Sequence, residues 1–417
     1  MTKSNAFYAQ SGGVTAVINA SACGVIETAR KHTEKINKVY AGRNGIVGAL
    51  NEDLIDTSHE SAEDIAALRY TPSGAFGSCR HKLTGMLDGG GEFERLIEVF
   101  KAHDIGYFFY NGGGDSADTC FKVSQLSARL GYPIQAIHVP KTIDNDLPLT
   151  DCCPGFGSVA KYIAVSTLEA SFDVKSMCKT STQIFVIEVM GRHAGWIAAA
   201  GGLLSDHGIP VVILFPEVEF IQEKFLAKVD ANVKKFGFCT VVVSEGCRHP
   251  NGRFMAEQGT KDAFGHAHLG GAAPVVAHII RDALGYRFHW AVANYLQRAA
   301  RHIASRTDAE QAYELGQAAV ELAIAGHNSV MPTIERISDE PYKYRIGMAD
   351  LKDVANIEKF MPKDFISEDG FGITDKCKRY LMPLIQGEDY PQYANGLPQY
   401  VILKNISVPK KLDAFKG

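Results

Sequence analysis

Ile134-Gln135-Ala136-Ile137-His138-Val139 runs without a break into Pro140-Lys141-Thr142-Ile143-Asp144-Asn145-Asp146. A largely apolar stretch of strand length, ending in a cluster of proline, lysine, threonine and acids, reads as a buried strand followed by a polar loop. The same transition occurs elsewhere in the chain. Asn5–Gln10 leads into Ser11-Gly12-Gly13, and Tyr107–Tyr110 into Asn111-Gly112-Gly113-Gly114-Asp115-Ser116. Gln183–Val189 leads into Met190-Gly191-Arg192-His193, and Thr240–Val243 into Ser244-Glu245-Gly246. Helix-like segments separate these runs, which predicts an α/β fold of mostly parallel strands with crossover helices. In open α/β sheets, ligands bind beyond the carboxyl ends of the strands, where all of these polar clusters fall.

The clearest helix candidates lie further along. Asp308–Ala325 sets Leu315, Ala319 and Leu322 on one face, opens with Asp308 as the expected N-cap and stops at Gly326. Glu223–Phe236 is similar, with Phe225, Leu226 and Val229 as its apolar face. The 417 residues accommodate two lobes, each with its own core. The tail after about Ile346 is mixed in composition and is expected to pack on the second lobe.

Bulk properties narrow the function. Forty-three basic against 47 acidic side chains give a formal charge of −4, which argues against a general binder of nucleic acid or membrane surfaces. The N-terminal MTKSNAFYAQSGG has no signal-like apolar core, and no apolar run approaches the roughly 18 residues of a membrane span. The nine cysteines are scattered, with one doublet at Cys152-Cys153 and no CxxC pair. This reads as reduced thiols in a cytoplasmic protein.

The polar clusters suggest phosphate chemistry. Ser11-Gly12-Gly13 before Val14–Ala22 resembles a strand-to-helix turn, where backbone N–H groups and a helix N-terminus can face an anion. It can equally be a helix-entry turn without a ligand. No GxxxxGK[ST] or GxGxxG pattern is present, which disfavours a P-loop or dinucleotide site. Pro140–Asp146 is more specific. Phosphoryl transfer to an alcohol needs a base, a cation and oxygen-fixing donors; Asp144, Lys141 and Thr142 supply these types, and Asp146 can orient a metal or the lysine. The alternative is an Asx-turn loop closed on itself. Arg192 follows an apolar strand and suits bidentate phosphate binding, or else a salt bridge. Glu245 can accept from a sugar hydroxyl or serve structurally. Arg80, Tyr295 and Arg298 are further phosphate-binding candidates, or else ordinary surface positions. His266 and His268 lack a third ligand at zinc spacing and read as part of a helix-entry loop.

Taken in order, SGGVTAVINA, GSCR, NGGGDS, PKTIDND, VMGRHAG, SEG and YLQR resemble the phosphofructokinase family across most of residues 5–330. The resemblance implies two Rossmann-like lobes with the active site in the cleft between them. The donor lobe would be 1–155 plus about 297–345, and the sugar-phosphate lobe 156–296 plus about 346–417. Gly12, Gly13, Arg80, Asp115 and Lys141 would meet the donor phosphates. Asp144 would deprotonate the 1-hydroxyl of fructose 6-phosphate, with Thr142, Ile143, Met190, Gly191, Arg192, Glu245, Tyr295 and Arg298 around that substrate. Arg192 would also steady the transferring group. Magnesium would be the cofactor, and a homo-oligomer of two or four copies is expected.

Two positions speak to the donor. ATP-using members of the family typically read GGDGS and PGTIDND, where this chain has GGGDS and PKTIDND. Asp115 would repel a nucleotide α-phosphate while leaving room for pyrophosphate, so pyrophosphate is the expected donor and ATP the alternative. A non-catalytic sugar-phosphate sensor is disfavoured because Asp144, Lys141 and Arg192 are all present. The usual metal-binding aspartate is replaced by Gly114, which shifts the expected metal ligands to Asp115 and Asp146. Gln183 and His289 stand where many relatives place arginines for the sugar 6-phosphate.

Overall fold

The computed structural model describes residues 3–84, 91–255, 257–261 and 267–415. Its strands, in chain order, begin with β1 (Ser4–Ser11), β2 (Ile36–Gly42), β3 (Leu54–Asp56), β4 (Ser78–Cys79), β5 (Ile105–Gly112) and β6 (Gln135–Pro140). There follow β7 (Ile184–Val189), β8 (Val211–Leu214), β9 (Cys239–Ser244), β10 (Glu257–Lys261) and β11 (Ala267–Leu269). The series continues with β12 (Phe288–Val292), β13 (Val330–Asp339) and β14 (Tyr342–Asp350). His266, one of the two histidines weighed as a metal pair, lies outside the described residues.

The chain divides into two compact units: residues 1–155, 301–358 and 387–417 form the first, and 156–300 with 359–386 the second. This differs from the expected partition at both ends. Residues 297–300 group with the second unit. Residues 346–358 and the tail from 387 group with the first, because their hydrogen bonds and strand pairing are made there. Val408 N–H donates to Leu54 O at 2.8 Å, and Arg43 donates to Asn405 O at 2.9 Å.

The first unit holds a sheet in the order β14-β13-β6-β5-β1-β2-β3, with β4 also pairing to β1. All pairs in it are parallel except β2/β3 and β13/β14. Successive strand residues face opposite sides, and both sides are covered. Phe7, Ala9, Phe108 and Tyr110 enter one core, while Ala6, Tyr8, Tyr107 and Phe109 enter the other. That two-sided burial is why these strands read as continuous apolar runs. From β1 the chain passes through the Ile18–Lys31 helix to β2 on one side, then returns to β5 on the other. The order therefore reverses beside β1, and such switch points open a crevice at the strand ends.

The second unit holds a parallel sheet in the order β12-β7-β9-β8. Here the reversal lies at β7, which has β9 on one side and β12 on the other. Its core gathers Ile184, Val186, Val241 and Val243 with Phe225, Val229 and Val233 of the Gln222–Phe236 helix.

Two helix starts differ from the sequence reading. The helix expected from Val14 begins at Ile18, after a turn through Ala16 and Val17. The helix expected to be capped by Asp308 spans Arg306–Ile324 and is capped by Ser305, whose side chain accepts from Asp308 N–H. A serine hydroxyl in extended backbone meets that orphan N–H, while Asp308 already lies inside the first turn.

Candidate active site

At the switch point of the first unit, three strand ends and a short strand carry the candidate donor residues. β1 ends in Ser11 and turns at Gly12, whose φ of +73° is left-handed backbone that a side chain would strain. A Cβ there would also stand 3.5 Å from Lys141 Nζ, so the lysine ammonium rests against the glycine backbone. Lys141 follows β6, is only 5% exposed, and donates its backbone N–H to Gly112 O at the end of β5 (3.0 Å). Ser116 Oγ donates to Ser11 Oγ at 2.7 Å, tying the β5 loop to the β1 loop. Gly12 N–H donates to Cys79 O, and Ser78 Oγ to Gly12 O, which brings Arg80 to the same edge with its side chain exposed.

The helix behind Ser11–Gly13 starts only at Ile18, whereas the Gly114–Arg129 helix opens directly from the β5 loop. Asp115 lies in its first turn and is exposed. Gly114 faces open space: nothing lies within 4 Å of where its Cβ would be. Beneath the loop, His138 is fully buried. Burial, with the Lys141 charge nearby, lowers its pKa to about 3, and the Gly112 and Gly113 backbone offsets only part of this. The imidazole is therefore neutral, and Lys141 faces no second cation from it.

Past Lys141 the loop folds tightly. Thr142 bridges to Gly155, and Asp144 N–H donates to Thr142 Oγ1 at 3.1 Å. Asn145 takes φ of +54°, and its Oδ1 accepts from Cys153 N–H at 3.0 Å. The short-range closure is thus a threonine turn through Thr142, while the Asn145 contact reaches eight residues along the chain and stiffens the backbone between Asp144 and Asp146. Thr142 and Ile143 are buried, while Asp144 and Asp146 are half-buried.

In the second unit, the switch point at β7 carries Met190-Gly191-Arg192. Gly191 has φ of +125°, and a Cβ on it would lie 2.7 Å from Ala194 O. Ser244 Oγ, at the end of β9, donates to Gly191 O, and Glu245 N–H donates to Val189 O at 2.9 Å. Met190, Gly191, Arg192 and Glu245 are thus held on adjacent strand ends. The Asn294–Ala299 helix joins them through Gln297, whose Oε1 accepts from Met190 N–H at 3.3 Å. On that helix the Arg298 guanidinium lies 3.8 Å above the ring of Tyr295. Gln183 and His289 lie on neighbouring strand starts, where Gln183 N–H donates to Arg287 O.

Some contributors were not singled out from sequence. Gln297 is one. Glu188 is another: it is buried, and its carboxylate accepts from Gly271 and Ala273 N–H at the start of the Ala272–Leu284 helix. An acid inside an otherwise apolar strand was the available signal. Behind the same turn, Glu217 accepts from Gly195 N–H at 2.8 Å, and burial pushes its pKa up.

The sequence matches the family described as Phosphofructokinase over residues 5–323. The chain belongs to the phosphofructokinase family. Among its similar relatives is a pyrophosphate–fructose 6-phosphate 1-phosphotransferase of Methylococcus capsulatus, 70% identical over 99% of both chains. Another protein of that description, from Halomonas elongata, is 65% identical over the full length of both. The crystal structure of a pyrophosphate-dependent phosphofructokinase from Nitrosospira multiformis superposes with a TM-score of 0.93, at 70% identity and complete coverage of both chains. Membership of this phosphofructokinase family implies a divalent metal. Among the described residues no cluster of three or more His, Cys, Asp or Glu could hold one unaided. Carboxylate oxygens of the kind Asp115 and Asp146 carry are the donor type a hard cation takes, alongside several retained waters and phosphate oxygens.

Proposed function

We propose that this chain transfers a phosphoryl group from pyrophosphate to the 1-hydroxyl of fructose 6-phosphate, giving fructose 1,6-bisphosphate and phosphate. The observation that carries the donor reading is Lys141 seated against Gly12 at a sheet switch point, with Asp115 on the adjacent first helical turn. The first unit is read as the pyrophosphate unit and the second as the sugar-phosphate unit.

The proposed chemistry is in-line displacement. Asp144 accepts the 1-hydroxyl proton as that oxygen bonds to phosphorus. The bond from phosphorus to the bridging oxygen breaks, and the departing phosphate keeps the electron pair. Lys141 and Arg192 neutralise charge on the transferring group. Thr142 Oγ1 accepts from Asp144 N–H, which leaves its own hydrogen to donate to a ligand. Gly12 and Gly13 would present backbone N–H groups and Arg80 its guanidinium to pyrophosphate. Ile143, Met190, Gly191, Glu245, Tyr295 and Arg298 would surround the sugar phosphate. Magnesium, held by Asp115 and Asp146 with pyrophosphate oxygens, would lower the negative charge of the donor.

A cytoplasmic setting is supported by nine free cysteines. No described helix is long and apolar enough to cross a membrane. A homo-oligomer is supported by the exposed Trp290 on the sheet-edge strand β12 and by exposed Tyr295 and Leu296 beyond it.

Donor choice is the decisive test. Two unit charges about 4 Å apart repel by roughly 4 kcal/mol at an effective dielectric near 20, on the order of a thousandfold in affinity. An ATP α-phosphate forced against Asp115 would meet that repulsion. In an aldolase-coupled assay the wild type should use pyrophosphate and not ATP. Asp115→Gly should raise kcat/KM for ATP, and the double variant with Lys141→Gly should raise it further. A wild type that prefers ATP would overturn the donor reading.

A further inference from the structure

We propose that Tyr8, Gln10, Asn19 and Asn111 are positioning residues that set the spacing of the pyrophosphate loops. All four side chains are fully buried, and they form one connected set of hydrogen bonds. Gln10 Nε2 donates to Tyr8 Oη at 3.3 Å and to Asn19 Oδ1 at 3.1 Å. Tyr8 Oη donates to Asn111 Oδ1 at 3.2 Å, and Asn111 Nδ2 donates to Val139 O at 3.0 Å. Asn19 Nδ2 donates to Thr71 O at 2.9 Å and Pro72 O at 3.3 Å, while its Oδ1 accepts from Ala75 N–H at 3.0 Å.

Each end of the network lies just before a donor segment. Gln10 precedes Ser11-Gly12-Gly13, and Asn111 precedes Gly112–Asp115. Val139 precedes Pro140–Asp146, and Ala75 lies just ahead of Gly77–Arg80. Gln10 and Asn111 are register partners on β1 and β5, so the tie crosses the switch point itself. The Tyr8 hydroxyl stays protonated because burial raises its pKa, and it keeps its donor role.

Stability alone gives little reason for such a cluster. A buried polar network replaced by apolar groups of like shape is often neutral or stabilising, and Gln10 Oε1 is buried here without a partner. What the network supplies is fixed geometry between four loops from distant parts of the chain. Transfer is sensitive to such geometry, since displacements of about 1 Å cost roughly 100-fold in rate.

The proposal rests on these loops being the pyrophosphate site. Tyr8→Phe keeps the ring and removes the hydroxyl that links Gln10 to Asn111. It should lower kcat/KM for pyrophosphate by about 10–100-fold. The KM for fructose 6-phosphate should stay within about twofold, and Tm should move by less than about 4 °C. Gln10→Met serves as the second variant if Tyr8→Phe does not fold. Unchanged pyrophosphate kinetics, or equal loss toward both substrates together with a falling Tm, would overturn the proposal. Lys141→Met is measured alongside: if it leaves turnover intact, the loop assignment itself fails. If it is crippled while Tyr8→Phe and Gln10→Met behave as wild type, only the network role fails.

Discussion

The base role proposed for Asp144 draws on how firmly the loop holds this residue. Its backbone is fixed by the Thr142 hydroxyl, the following Asn145 is locked by Cys153, and the carboxylate stays half-buried. A base so placed loses little orientational freedom before reaction, and amide replacement removes its basicity while keeping its shape. Asp144→Asn should therefore lower kcat by about two to four orders of magnitude, the scale of a lost general base. Fructose 6-phosphate binding, followed by calorimetry, should persist. Near-normal turnover in the folded variant would remove Asp144 from the role of base. Residue types in this loop were readable from sequence because the chemistry depends on local spacing. The supporting side chains were not. Asn111, Gln297 and Glu188 make contacts 28, 107 and 83 residues away in the chain, and no local pattern marks such partners.

Strands carry the residues into place, and turns aim them. Gly191 combines φ of +125° with carbonyl contact on the side where a Cβ would project. Gly191→Ala should cost about 1–3 kcal/mol through backbone strain. Because Met190 and Arg192 flank it, the KM for fructose 6-phosphate should rise by more than the KM for pyrophosphate. Thermal unfolding and steady-state kinetics together check this; a variant with native Tm and unaltered KM values would show that the turn tolerates a side chain. At this scale the sequence was most legible for strands buried on both faces, such as β7 and β9, whose apolar runs are nearly continuous. It was least legible for Ser78–Cys79, where two residues pair with β1 and leave no periodic signal. Helix starts shifted for a related reason: the Ala16–Val17 turn and the Ser305 cap are set by one or two local bonds rather than by the apolar stripe.

Across the whole molecule, the tail has a structural role that its mixed composition concealed. Glu52, which is 1% exposed, accepts from Lys411 and Leu412 N–H and from His103 at 2.6 Å. Those donors hold its pKa below the usual carboxylate range despite burial. Glu60 accepts in the same way from Lys404 and Asn405 N–H. Removing residues 399–417 would leave both carboxylates short of donors, at about 1–3 kcal/mol each. The truncated chain should show a Tm lower by several degrees and faster inactivation on heating, and an unchanged Tm would show that the strap is dispensable.

The tail also fixes a sequence of events during synthesis. The first unit opens the chain but receives its closing segment last, after the second unit has already ended at residue 386. At a ribosomal pace of about 5–20 residues per second, an interval on the order of tens of seconds separates the emergence of β6 from that of the strap. Throughout it, Glu52 and Glu60 lack the backbone donors that the finished protein gives them. The sheet of the first unit therefore waits for residues 399–415 before these two carboxylates are satisfied, while the second unit, complete by residue 386, can mature ahead of it.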